Sequence, residues 1–169
     1  MSWLRGGIRR SLWNRSPVKI NFINKHRKRI PNPNPKGKVK EVWGGQCGIC
    51  GKDFVVAELD VDHVVGNHSL KEFSDIQSFI EAIVLVQESD LQFACKGCHK
   101  IKNMSERSGL SFAEASIEKI CIDLVKKGLD VEWLKAHNIT PASSAAKRRA
   151  QIREILMEEL ENGSGTKDS

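Results

Sequence analysis

The chain has no tyrosine and, in 169 residues, only six phenylalanines and four tryptophans, so aromatic packing can build only a modest core. No apolar run approaches the ~20 residues that a membrane-spanning helix needs, and no membrane partner is expected. The first fifteen residues are apolar but broken by Arg5, Arg9 and Arg10, with no small-residue cleavage site after them. They do not read as a secretory signal. Acidic residues are missing altogether from residues 1–40, which hold 12 of the 27 lysines and arginines. The remainder carries 15 bases against 21 acids, so the formal charge of +6 belongs to the arm. A basic segment interleaved with Trp3, Trp13 and Phe22 points to nucleic acid. A disulfide framework is not expected either. Four of the five cysteines fall into Cys-x-x-Cys pairs, and Cys121 stands alone on a predicted helix as a small buried hydrophobe. That usage fits reduced thiols in a cytoplasm.

What the chain does have is organised around Cys47 to Asn103. Cys47-Gly-Ile-Cys50 and Cys95-Lys-Gly-Cys98 offer four thiols, each pair bent so that both sulfurs face one ion. This is the pattern of a closed, structural Zn²⁺ site, and such a staple compensates for a small core. Between the pairs stands Asp60-Val61-Asp62-His63, and His99 follows the last cysteine directly. These groups lie outside the four sulfur ligands and are available for chemistry.

The predicted organisation is a basic helical arm and proline-rich linker over residues 1–40, a core over 41–106, C-terminal helices over 107–162 and a disordered tail over 163–169. In the arm, Ser16-Pro17 reads as a helix start, with the helix running to about Ile30 and stopped by Pro31, Pro33 and Pro35. In the core, Phe54 to Val56 and Leu59 to Val65 read as strands. Leu91 to Ala94 reads as another, and Lys96 to Glu106 as a helix. A helical insert over 69–88 carries a Ser74/Gln77 capping signature and an apolar stripe through Phe73, Ile76, Phe79, Ile80, Ile83 and Val84. Further on, Ser111/Glu114 starts a helix that Gly128 ends. Asp130 to His137 is a short helix, and Ala142 to Glu161 a last one. The fold class is α+β.

Asp62-His63, then Asp90-Leu91-Gln92, then Cys95-x-x-Cys98-His99-x-x-Lys102 resembles the HNH endonuclease family with its ββα-metal (His-Me finger) core. It looks most like the zinc-stapled, phage-encoded members classed as homing-type endonucleases. The match covers Cys47 to Lys102. The resemblance implies a metal-dependent hydrolase of DNA phosphodiester bonds, nicking as a monomer. It implies His63 as general base, Asp62 and His99 as ligands of a catalytic Mg²⁺ or Mn²⁺, and Asn103 as a further contact one helical turn after His99. Asp90 stands where the family name implies Asn. An Asp lacks the amide donor, which predicts looser positioning of the base. Double-stranded DNA is the expected partner, with phosphate contacts from Arg5, Arg9, Arg10, Arg27, Arg29 and Lys102. His68 is expected to be a surface histidine. The rival expectations are a non-catalytic zinc-stapled DNA-binding module and a phage assembly or regulatory protein whose C-terminal helices dock a partner.

Overall fold

The computed structural model describes residues 2–35, 38–66 and 70–164, and the chain divides into two compact units, Met1–Lys100 and Ile101–Ser169. His68 and residues 165–169 of the expected tail lie outside the described residues. Among the described residues there are seven α-helices and five strands, the strands in two small antiparallel sheets. No helix is long and apolar enough to cross a membrane among those residues.

In the first unit α1 (Ser2–Ser11) is followed by a short 3-10 turn and α2 (Pro17–His26). The Ser16 hydroxyl accepts the Lys19 amide at 3.4 Å, the expected N-cap with proline at the first helical position. The helix stops at His26, not Ile30. Arg27 is extended and β1 (Lys28–Pro31) begins at once. The reason is tertiary. Ile30 is buried in a three-stranded sheet, ordered β1-β2-β3 with β2 (Glu41–Gln46) and β3 (Asp53–Val55). A Cβ on Gly44 would lie 2.3 Å from Ile30 Cδ1, so the close approach of these strands needs glycine there. The segment expected as a proline-rich linker therefore joins two paired strands, with the Asn32 amide donating to Lys40 O at 2.9 Å.

The second sheet pairs β4 (Leu59–His63) with β5 (Leu91–Cys95). Between them lies α3 (Ile76–Val84). The capping box before it is Glu72/Asp75, two residues earlier than Ser74/Gln77. The Asp75 carboxylate accepts the Glu72 and Lys71 amides, and these bonds hold it below the usual carboxylate range. Of the expected stripe, Phe79 and Ile83 are buried under Leu4 and Ile8 of α1, whereas Phe73 and Val84 are exposed. Phe22, Val86, Leu91 and Phe93 form the other apolar cluster, with Leu59 and Val61 packed against it. Trp13 touches both clusters. Each such fully buried side chain stabilises by about 1.5–3 kcal/mol relative to leaving it exposed. Directly after β5, α4 (Lys96–Ser108) begins and continues into the second unit.

The second unit is helical. α5 (Phe112–Lys127) has the expected Ser111/Glu114 capping box and ends on Gly128 at φ 69°. α6 (Asp130–Ala136) and α7 (Ala145–Ser164) complete it around Ile117, Cys121, Leu134 and Ile152. α7 starts three residues later than expected and runs through residues 163 and 164, which were read as tail. Burial pushes the Cys121 thiol up, so it stays protonated and inert in this core. The Asp130 carboxylate, buried, accepts from Arg148 Nε at 2.6 Å.

Candidate functional site

The four paired cysteines converge. Their sulfurs lie within 4.8 Å of one another, and a tetrahedron of Zn–S bonds near 2.3 Å has edges of roughly 3.8 Å. Cys47 and Cys95 are buried, Cys98 half-buried and Cys50 exposed. The loop geometry explains the convergence. The Cys47 amide donates to Lys52 O and the Gly51 amide to Cys47 O, which folds the first pair back on itself. β5 delivers the second pair, and the Gly48 amide donates to Phe93 O at 2.8 Å, which joins the two.

Backbone amides already point at sulfur, Cys95 N to Cys47 Sγ at 3.3 Å and Cys98 N to Cys95 Sγ at 3.4 Å. For Cys47, burial opposes ionisation, but the amides of Cys50, Cys95 and Ile49 outweigh it and bring the thiol down to about 7. Cys98 is pushed up, first by burial and then by its sulfur neighbours, including charge on Cys47 and Cys95. Four thiols this close cannot all ionise without a cation among them, and their sulfur chemistry fits zinc. The four cysteines are a set that can hold a zinc ion.

The β4–β5 pairing sorts the Asp-Val-Asp-His segment by face. Leu59, Val61 and His63 share one side with their partners Cys95, Phe93 and Leu91, and Asp60 and Asp62 share the other with Ala94 and Gln92. On the acidic side stands His99, in the first turn of α4. Its Nδ1 donates to Asp60 Oδ2 at 2.9 Å. In the neutral ring this leaves Nε2 as the acceptor nitrogen, and Nε2 lies 3.8 Å from Asp62 Oδ1. That distance is too long for a hydrogen bond and near the ~3–4 Å that separates two ligands of one hard cation. Asp62 is largely shielded, with 17% of its side chain exposed.

On the other side His63 Nε2 donates to the Ala82 carbonyl of α3 at 3.0 Å, so the proton sits on Nε2 and Nδ1 is the basic nitrogen of the neutral ring. Trp13 stacks on the same imidazole, centroids 4.9 Å apart and planes 25° apart. A cleft of about 300 Å³ opens beside it, lined by Val64, Glu81, Ala82, Ser89 and Asp90 among others.

Asp90 lies in the loop beside His63. Its carboxylate accepts the Gln87 amide at 2.8 Å, and its carbonyl accepts the Val64 amide at 2.8 Å. Both bonds use acceptors, which Asp supplies as well as Asn. Asn103 is exposed on α4, beyond the end of the first unit. Lys102 pairs with Glu106 at 3.5 Å on the same helix. Arg5, Arg9 and Arg10 are exposed on α1, and Arg27 and Arg29 flank Trp43.

Sequence reasoning quoted Asp60 but gave it no role, although its spacing of two from Asp62 on a strand places both on one face. The Ala82 carbonyl and the Trp13 stack leave no local signal, because each comes from a distant element. No family model matches the chain, nor does a curated protein or a solved structure.

Proposed function

We propose that the first unit is a metal-dependent DNA endonuclease of the HNH type, its β4–β5–α4 segment serving as a zinc-stapled ββα-metal core. The observation that carries this reading is the Asp60–His99–Asp62 arrangement: one carboxylate orients the imidazole, and the ring's other nitrogen faces the second carboxylate. An oxygen and a nitrogen donor so placed suit a hard divalent cation that keeps most of its remaining positions for water and phosphate oxygens. A bound Mg²⁺ or Mn²⁺ supplies charge stabilisation for the leaving 3′ oxygen.

The chain's own residues do the rest. His63 Nδ1 accepts a proton from the attacking water, and the Ala82 carbonyl keeps the ring in the required tautomer. The zinc-held cysteines fix where α4 starts, and with it His99, one residue after Cys98. The basic arm binds the phosphate backbone of double-stranded DNA, with affinity that falls as salt rises. One site cuts one bond, so a monomer nicks.

The test is a supercoiled plasmid with Mg²⁺ or Mn²⁺. Wild type nicks it. His63→Ala lowers the rate on the order of 10²–10⁴-fold while DNA binding and zinc content persist. Plasmid left supercoiled by the zinc-loaded wild type under both metals overturns the proposal.

One observation favours a second reading. The Trp13 stack holds His63 as a packed ring, as in a zinc-stapled DNA-binding module without catalysis. That reading requires wild type and His63→Ala to bind DNA alike and neither to nick.

A further inference from the structure

The basic run Lys25 to Arg29 does not act as one patch. Lys25 Nζ and His26 Nε2 both reach Glu88 Oε1, at 2.8 and 2.9 Å, and Lys28 Nζ reaches Asp53 Oδ1 at 2.8 Å. The two arginines go elsewhere. Arg27 Cζ lies 4.5 Å and Arg29 Cζ 5.2 Å from the centre of the Trp43 ring. The pairing of β1 with β2 sets Arg29 directly opposite Trp43. The buried side of these strands, where Ile30 lies over Gly44, has no room for an indole, so Trp43 stays 47% exposed. Arg29 is further tethered by donating to Glu41 O at 3.2 Å, and its contact with the exposed Glu41 carboxylate is long, at 3.7 Å.

A guanidinium attracted to an indole through its face keeps its donors around the rim, where a phosphate oxygen can take two of them. The ring also restricts two long side chains before any ligand arrives, which lowers the cost of ordering them on binding. Arginines two apart along an extended chain point the same way and are spaced like successive steps of a phosphate backbone. The flanking residues argue for nucleic acid over a lipid surface. Residues 1–40 hold no acid, and the exposed indole is ringed by cations rather than by an apolar wedge.

We infer that Arg27 and Arg29, stacked on Trp43, form a phosphate clamp that grips the backbone of duplex DNA. The inference rests on DNA being the substrate of the first unit. It assigns Trp43 a binding role and separates these two arginines from the three neighbouring bases.

The experiment is binding of a fluorescein-labelled duplex by anisotropy, without divalent metal, across a KCl series. Zinc content and thermal melts check each variant. Arg27→Ala/Arg29→Ala should weaken binding on the order of tenfold and lower the salt slope by about two. Lys25→Ala/Lys28→Ala removes the same charge from the same run but spares the stack, and should cost less than about threefold. Arg27→Lys/Arg29→Lys should keep the slope and lose affinity severalfold, because an ammonium has no planar fork. Trp43→Phe leaves both charges and weakens the stack, so it should show a smaller loss at unchanged slope, and it decides the matter if the double alanine variant does not fold.

The clamp is overturned if the lysine pair costs as much as the arginine pair, or if Arg27→Lys/Arg29→Lys binds like wild type. Wild type that ignores the duplex but binds phosphatidylglycerol vesicles overturns it together with the DNA reading. Loss of nicking alone, with these binding differences intact, overturns the endonuclease reading and supports the clamp.

Discussion

The two units of this chain use different physics. The first spreads its apolar residues over two small clusters, one built on Phe22, Val86, Leu91 and Phe93 and the other on Leu70, Phe79 and Ile83. Its strands are three to six residues long. Four cysteines with converging sulfurs sit where β5 turns into α4. The second unit gathers Ile117, Cys121, Leu134 and Ile152 into one core between helices, the first of them, α5, capped at both ends, and pairs the buried Asp130 carboxylate with Arg148. A unit whose four cysteines can hold a zinc ion has a staple that leaves exposed positions for polar chemistry. A unit that depends on apolar stripes must keep its helix faces for packing.

The strongest way to break this contrast is to test the proposed zinc staple. Stripping zinc with a strong chelator, or Cys95→Ser, should unfold the first unit, since a structural zinc contributes about 10–16 kcal/mol near neutral pH. Amide peaks of α5, α6 and α7 should survive in a ¹⁵N correlation spectrum. Their joint loss would show one cooperative unit instead of two, and mass spectrometry finding no tightly bound zinc would remove the basis of the contrast.

The converse change acts on the other side. Leu134 is fully buried, and Leu134→Ala should cost the second unit about 3 kcal/mol in chemical denaturation while zinc content stays the same.

The buried pair gives the second unit a pH signature. The hydrogen bond from Arg148 holds the Asp130 carboxyl below its ordinary value. A depressed folded-state value means that the stabilisation is fully present above the unfolded value near 3.9 and is lost as pH falls through the lower folded one. Acidification below about pH 4 should therefore lower the stability of the wild type more than that of Asp130→Asn, whose stability should be flatter with pH over that window.

The smallest expected effect concerns the orientation of His99. Asp60→Ala should weaken Mn²⁺ binding about tenfold and leave zinc content and melting unchanged. Long-range ¹⁵N–¹H spectra should show the His99 ring released from its Nδ1-protonated form. An unchanged tautomer in that variant would mean that Asp60 does not hold the ring.

The second unit was the more legible in advance, and its signals explain why. Ser111, Glu114 and Gly128 act on the backbone within one turn of themselves, so helix α5 begins and ends where the pattern places it. The first unit misled where strands pair at a distance. The residues after His26 carry a helix-compatible charge pattern, yet Ile30 finds its partner across β2, and the strand wins. The Glu72/Asp75 box prevailed over Ser74/Gln77 because Asp75 reaches two amides at once. At the site, Asp62, His63 and His99 were singled out by the resemblance to the HNH family, while the partners that orient them came from elsewhere. Asp60 reaches His99 across 39 positions, and Ala82 reaches His63 across 19.

The amino-acid order alone determined the two Cys-x-x-Cys pairs, the acid-free basic arm, the α+β class and the capped ends of α5. Each of these is a matter of residue type at short separation, where backbone geometry leaves little choice. Tertiary structure alone decided which nitrogen of each histidine carries the proton, which bases of the arm are neutralised by acids, and which arginines lie on Trp43. Those outcomes depend on hydrogen bonds and contacts a few ångströms long between segments far apart in the chain, and such distances exist only once the chain is folded.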